Sequence, residues 1–587
     1  MPPIPGDGRR VTKSIMANEG KNRYTIGLDY GSLSCRGVIV NVENGRILAE
    51  RAMEYPHGVM EALPAGGAPL GEGWYLQDPE DFTRVLAGIV PGLLEESQVP
   101  PREIVGIGVD FTASTVIPVD RNFHPLSAQA GLAAHPHAWA KMWKHHSAAA
   151  QAARLTQICR EQGRPYLDWY GGKISPESFW PKVLQVFDED PRVFDAAHTF
   201  VEGADYIASF LAGRPVFSTA LAAAKALYSP EAGYPDGDFF SAYHPGLGRL
   251  VEAKLLNRHE EGAMCRPGRR ASGLSACAAR QLGLVPGIPV TAGHMDAYTP
   301  VLGLGVTRPG VMVMVVGTST GIMTLSRQRH CVQGVTACLR DIYYPGLWGY
   351  GSGQAGVGDA FHWFASQCVP EGYAAKARQR GQTLQQYLTH LAEGQAPGDS
   401  GLLALDWWNG NRSCLGNSRL SGLFVGLTLK TRPEDMYRAL LEATAFGAKR
   451  VVQAYREGGV PVDEILICGG AAEKNPLMMQ IYADVLDMPL KVSRCLQAPA
   501  LGAAIYAAAA GEAAGYSGAV EAAHAMGHTE HTLYRPDPAN RGVYQALYQD
   551  YLTLHDYFGQ GGNAVMERLY ARRNARRPNL ERETGAP

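Results

Sequence analysis

Ten cysteines are scattered through the sequence, and none forms a Cys-x-x-Cys pair. That distribution fits reduced thiols in a cytoplasmic protein and argues against a zinc ribbon or a disulfide frame. No apolar run approaches the ~20 residues of a membrane span. Charge of either sign is nearly cancelled: 54 Lys and Arg stand against 56 Asp and Glu, for a net of −2. No basic field is available to gather nucleic acid or an anionic membrane, so neither is expected as a partner. No Gly-x-x-x-x-Gly-Lys-Ser/Thr loop occurs, which sets P-loop chemistry aside. Residues 1–22 lack the apolar core of a signal peptide and read as a disordered leader.

Glycine, by contrast, is plentiful at 68 of 587 residues. So many glycines favour tight turns and close backbone approaches. The length calls for two or more domains. Hydrophobic content of 46% with 19% charge fits a globular enzyme.

The densest chemistry lies between Gly287 and Leu325. Ile288–Ala292 reads as a short buried strand, and a glycine break then presents Asp296. Val311–Val316 is a second strand, ending in Gly317-Thr318-Ser319, and Ile322–Leu325 a third. A small-residue turn exposes backbone N–H groups and hydroxyls that suit a phosphate. A proton-accepting acid thus stands near a phosphate-type turn. A helix-capping aspartate beside an ordinary hairpin fits the same residues.

The N-terminal stretch has the same plan. A strand from Tyr24 reaches Asp29, a turn follows at Gly31-Ser32, and a second strand ends at Asn44-Gly45, a hairpin signal. Aligned on Gly31 and Gly317, Ser32 matches Thr318, while Asp29 faces Val315. A distant duplication is implied, with one phosphate-facing hairpin in each half.

Helical periodicity is expected over Pro79–Gln98, Ala148–Gln162, Ser178–Phe187, Asp205–Leu211, Asp359–Ser366 and Pro433–Tyr455. One further helix is expected to run through Met478–Leu486, another over Ala500–Ala510, and an amphipathic one from Tyr534. Ile104–Asp110 is a buried strand ending in an acid. His135, His137, His145 and His146 could ligate a metal, but surface histidines on a loop and helix explain them without one. Lys225 is a lone cation among alanines, either solvated or reaching into a cleft. Trp407-Trp408 reads as packing or as a sugar-stacking face. Gly469-Gly470 lets a flat ligand approach the backbone. Two other motifs are decoys. Gly317–Gly321 fits a nucleophile elbow but runs into strand-like sequence rather than a helix. Gly398-Asp-Ser400-Gly401 sits in alternating helix and strand sequence, unlike a serine protease.

Taken together, Asp29-x-Gly31-Ser32-x-Ser34-x-Arg36, Gly293-x-x-Asp296, Gly317-Thr318-Ser319 and Gly469-Gly470 with Asn475 resemble the FGGY carbohydrate kinases. The resemblance runs from about Tyr24 to Leu569. Gly108–Ala113, Trp143–His146, Gly171–Ser175, Leu405–Arg412 and Leu554–Phe558 resemble one ketopentose-specific branch. It implies an α/β chain with two domains of the actin/Hsp70/ribonuclease-H-like fold and a cleft between them. The expected division is 23–290 and 291–558, with a basic helical tail at 559–587.

The resemblance makes Asp296 the catalytic base, with Ala113 and Lys225 beside it on the sugar. Asp29, Gly31, Ser32, Arg36, Gly317, Thr318, Ser319, Gly358, Gly470 and Asn475 are expected at ATP and its phosphates. Asp29 is also expected to meet Mg²⁺ through water. The implied reaction is ATP-dependent phosphorylation of L-ribulose to L-ribulose 5-phosphate, in L-arabinose breakdown. D-ribulose, L-xylulose or a related polyol is the alternative substrate, and an actin- or Hsp70-like ATPase switch the alternative class. A homodimer is compatible with the resemblance. One position departs from the branch: a glutamate that meets the sugar follows the glycine-tyrosine pair, and here that place is Gly351.

Overall fold

The computed structural model describes residues 22–60, 62–64, 70–71, 73–256, 258 and 263–573. All but the last residue of the expected leader lies outside them, as does the end of the basic tail. Residues 565–573 are helical.

Two seven-stranded sheets form the frame. In the first, β1 (Tyr24–Tyr30), β2 (Ser34–Asn41) and β3 (Ile47–Glu54) make an antiparallel meander. β4 (Ile104–Phe111) lies parallel to β1. β5 (Arg270–Gly273) forms the far edge, antiparallel to β6 (Pro289–Thr291), which is parallel to β4. β7 (His294–Met295) pairs with the last residues of β4.

The second sheet repeats the plan. β8 (Gly310–Val316) and β9 (Thr320–Ser326) form a hairpin, and β10 (Ala337–Arg340) and β11 (Trp348–Gln354) extend it antiparallel. β12 (Val462–Cys468) and β13 (Leu490–Ser493) continue parallel from β8, and β14 (His531–Tyr534) closes the edge. The order β3-β2-β1-β4-β6 thus matches β11-β9-β8-β12-β13. This supports the duplication inferred from two short hairpin motifs.

The helices bearing on the site are α1 (Pro79–Ser97), α2 (Thr219–Lys225), α3 (Gly358–Gln367), α4 (Pro433–Glu457), α5 (Gly470–Lys474), α6 (Pro476–Leu486), α7 (Ala498–Ala510) and α8 (Arg541–Gly559). β1 is buried at every residue, as expected of a strand covered on both faces. On one face it meets α7 at backbone distance. A Cβ on Gly27 or Gly108 would overlap the carbonyl oxygen of Ala500 or Ala503. Glycines in mid-strand mark this close approach. Because α7 is mostly alanine, one apolar core joins Leu28 and Val109 of the first sheet, Leu501 and Ile505 of α7, and Val311 and Val313 of β8. A second core gathers α4, α6 and α8 around Phe446, Tyr482 and Tyr548. A third fills a lobe with a four-stranded sheet between β3 and β5, around Trp180 and Phe240.

Several expectations change. The division at 290 falls inside β6, because β6 and β7 must lie against β4 to bury Val290 and Met295. The helix after Gly470 breaks at Asn475, whose side chain accepts the Met478 N–H at 3.0 Å and starts α6. Tyr534 ends a strand, and α8 begins only at Arg541, beyond Pro536 and Pro538. His137 and His145 are buried, not on the surface. Trp407 is fully buried with its ring 5.5 Å from His555, so it packs and offers no face to a sugar. The elbow reading fails as expected, since Gly317–Gly321 leads into β9.

No helix among the described residues is long and apolar enough to cross a membrane. Gly108→Val is expected to force α7 off the sheet and cost about 1–3 kcal/mol or more. Urea unfolding measures it, and an unshifted midpoint would contradict this packing.

Candidate active site

Three neighbouring strand ends deliver three carboxylates. β1 and β4 run parallel with Asp29 opposite Asp110. β7 pairs with β4 so that His294 faces Asp110, and the Asp296 N–H then donates to the Phe111 carbonyl at 2.9 Å. Asp29 and Asp110 are buried, and Asp296 is half-buried. Thr299 donates its hydroxyl to Asp110 Oδ2 at 2.8 Å, while Asp110 Oδ1 has no partner. Arg36 lies 3.5 Å from Asp29.

Burial disfavours charge on all three acids. It pushes Asp110 well above the usual carboxylate range, and repulsion from Asp29 and Asp296 adds to the shift. Asp110 and Arg36 oppose the rise that burial imposes on Asp29. Asp296 is raised to about 7 by burial and by the charge of Asp29, against the Ala297 N–H, Lys225 and Arg36. The Ala297 N–H donates to Asp296 Oδ1 at 2.6 Å, so Oδ2 is the oxygen left to accept a proton. His294 is a neutral spacer. Its Nδ1 accepts the Met295 N–H and its Nε2 faces the Ile342 carbonyl at 2.7 Å, with burial lowering its pKa to about 4.

The two hairpins are held differently. Gly31 N–H closes the first turn on Ser34 O at 2.9 Å, and Tyr55 OH braces Gly31 O at 3.0 Å. Trp143 Nε1 donates to Ser32 Oγ at 2.9 Å, which fixes that hydroxyl. In the second turn Gly317 N–H reaches Ser319 O at 2.9 Å. The start of α3 is pinned to it: Val357 N–H donates to Thr318 O at 2.9 Å and Gly358 N–H to Gly317 O at 3.0 Å. A Cβ on Gly358 would sit 2.7 Å from Gly317 O, so a close approach already requires this glycine. Gly469 has φ 105°, and a Cβ there would overlap Val316 O, whereas Gly470 faces open space. Gly317, Thr318, Gly358 and Gly470 therefore gather round the end of β8. Asn475 sits at the α5–α6 junction, its amide 3.4 Å from Tyr437 OH.

On the other side, Lys225 ends α2 and its charge acts on Asp296 and Glu177. Glu177 is half-buried, and burial opposes its ionisation. Arg412, His146 and Lys225 nonetheless hold its pKa well below normal. Arg412 reaches it from the second half of the chain at 3.4 Å, and His146 lies at 3.1 Å. Ala113 follows β4, half-buried, two residues past the carbonyl that anchors Asp296. Gly351 lies mid-β11, where a Cβ would overlap the Tyr298 hydroxyl. Sequence reasoning missed roles for Asp110, Glu177, Arg412 and Tyr298. Asp110 had a signal, since like Asp29 it ends a buried strand. Glu177 and Arg412 lie 235 residues apart and had none.

Two duplicated α/β halves, with strand-end carboxylates and two glycine-serine/threonine hairpins, make a site suited to phosphoryl transfer. The FGGY family of carbohydrate kinases matches through its N-terminal domain at residues 24–231 and its C-terminal domain at 312–511. The chain belongs to that family, so it is a kinase with a sugar hydroxyl as acceptor, and sugar kinases of this family use ATP. A protein named Ribulokinase from Shouchella clausii (strain KSM-K16) is 44% identical over 550 residues, 93% of this chain and 97% of that protein. Another from Mycolicibacterium smegmatis is 41% identical over 563 residues, 95% of this chain and 98% of that one. The crystal structure of xylulose kinase from Rhodospirillum rubrum superposes with a TM-score of 0.70 at 22% identity, covering 91% and 98% of the two chains. The fold is the two-domain one expected from the sequence.

In the ligand-free protein the Asp296 carboxyl is expected to titrate near the value of about 7 set by its surroundings. Removing the neighbouring charge with Asp29→Asn should lower it. Carboxyl-detected NMR reads both, and an Asp296 midpoint in the ordinary aspartate range of about 4 would contradict this account.

Proposed function

We propose that this chain phosphorylates L-ribulose with ATP to give L-ribulose 5-phosphate. The observation that carries the reading is Asp296, a carboxylate with one oxygen anchored and one free, raised to about 7 and within the field of Lys225. Full-length likeness to proteins named Ribulokinase supplies the sugar.

Asp296 Oδ2 takes the proton of the terminal sugar hydroxyl. The oxygen attacks the γ-phosphorus, the bond to the bridging oxygen breaks, and ADP leaves with that electron pair. A base with a pKa near the working pH suits this transfer. Lys225 and Ala113 sit at the sugar. Gly31, Ser32 and Arg36 approach the transferred phosphoryl group from the first half, and Gly317, Thr318 and Ser319 from the second. Gly358, Gly470 and Asn475 line the nucleotide side. Asp29, with Asp110 behind it, offers buried oxygen donors that fit a hard cation such as Mg²⁺. When bound, the ion would neutralise charge on the phosphate oxygens. A cytoplasmic homodimer completes the reading, and sedimentation tests the assembly.

A coupled ADP assay across free ketoses tests the substrate. L-ribulose should show the highest kcat/KM, with an acid limb near pH 7 because only ionised Asp296 accepts the proton. Preference for another sugar would replace the substrate. No sugar-stimulated ADP release would favour an ATPase switch instead.

Asp296→Asn should fold normally, since an amide oxygen can still accept the Ala297 N–H, and should lose ~10²–10⁴-fold in kcat. Near-wild-type turnover would dismiss the base. Gly470→Val should also fold, because the space there is open. It should raise KM for ATP about five- to a hundredfold by steric conflict, with little change for the sugar. Equal weakening of both ligands would contradict the nucleotide placement.

A further inference from the structure

Tyr298 stands two residues beyond Asp296, in the turn closed by its own N–H on Met295 O at 3.0 Å. Its ring is wedged between Tyr343, with centroids 5.2 Å apart, and His294 at 6.3 Å. The ring position is therefore set by packing. The hydroxyl end points across the junction of the two halves to Gly351. A Cβ at Gly351 would overlap that hydroxyl and lie 3.0 Å from the ring carbon bearing it. Gly351 O already accepts the N–H and hydroxyl of Thr336, at 2.8 and 2.9 Å. It does not accept from Tyr298.

The phenol makes no hydrogen bond among the described residues, which separates it from the tyrosines around it. Tyr170 donates to Ala223 O, Tyr343 to Tyr350 O, Tyr344 to Val306 O and Tyr506 to Tyr343 O, and Tyr455 pairs with Ser352. A buried tyrosine hydroxyl ordinarily finds a partner. Tyr298 is half-buried, and its oxygen is not among the sealed unpartnered atoms. The free hydroxyl thus lies beside Gly351, on a residue two positions past Asp296. Burial keeps the phenol neutral, able both to donate and to accept.

We infer that Tyr298 is a specificity-determining residue whose hydroxyl hydrogen-bonds a sugar hydroxyl other than the one phosphorylated. On this account position 351 is glycine because the Tyr298 hydroxyl occupies the space a side chain would need. The inference deepens the proposed ketose kinase activity and rests on it. Tyr298 takes no part in proton transfer.

Tyr298→Phe removes one oxygen and leaves the ring packing. It should raise KM for the preferred ketose about three- to tenfold, leave KM for ATP unchanged and leave the melting temperature unchanged. Gly351→Ala should give the same sugar-specific rise by displacing the hydroxyl, and should add little in the Tyr298→Phe background. The ratio is measured on whichever sugar the wild type prefers, so a preference other than L-ribulose corrects the substrate without touching this inference. A Tyr298→Phe enzyme with wild-type KM for that sugar overturns the inference while the kinase reading stands. A lowered melting temperature with unchanged KM also overturns it, because the hydroxyl would then serve the fold. Wild type inactive on every sugar overturns both.

Discussion

A buried group of carboxylates cannot all be ionised, and the site is built around that constraint. The parallel register of β1 and β4 places Asp29 beside Asp110, and β7 brings Asp296 to the same end. Burial and its neighbours push Asp110 well above the usual carboxylate range, Asp29 leans on Arg36, and Asp296 is raised to about 7. An aspartate in water would be a weak base at neutral pH. Here its basicity comes from lost hydration and from a neighbour's charge. Positive charge brought to Asp29 would shift this balance toward ionised Asp296, because the charge of Asp29 is what raises it after burial.

That register depends on parts of the chain far from the acids. β1 and β4 stay flat against α7 because glycines let the helix backbone touch the sheet. α7 comes from the last fifth of the chain yet packs on its first strand, so neither half has a complete core alone. The duplicated sheets therefore share one interior. Their hairpins have diverged, the first braced by Tyr55, Gln77 and Trp143, the second by the start of α3. One carries its acid into the site and the other has Val315 at the matching place.

The junction between the halves is closed by side chains as well as backbone. Arg412 meets Glu177, and Tyr298 meets Gly351. The charge of Lys225 also acts on Glu177. The apparent loss of a polar side chain at position 351 is thus answered by a hydroxyl arriving from another strand end.

The sequence by itself determined the family, both hairpins, Asp296 and most helices, because strands ending in glycine turns and long periodic helices are written in local order. Local order also misled. One helix was read through Gly470–Leu486, although Asn475-Pro476 is a cap and a first-turn proline that start a new helix there. The division expected at 290 cuts the first sheet, which continues to Met295 because β4 needs a neighbour. Only the tertiary structure decided that His137 and His145 are buried, that Glu177 faces Arg412, and that Tyr298 fills the place of a side chain at Gly351. These are contacts between residues tens to hundreds of positions apart, and no spacing along the chain encodes them.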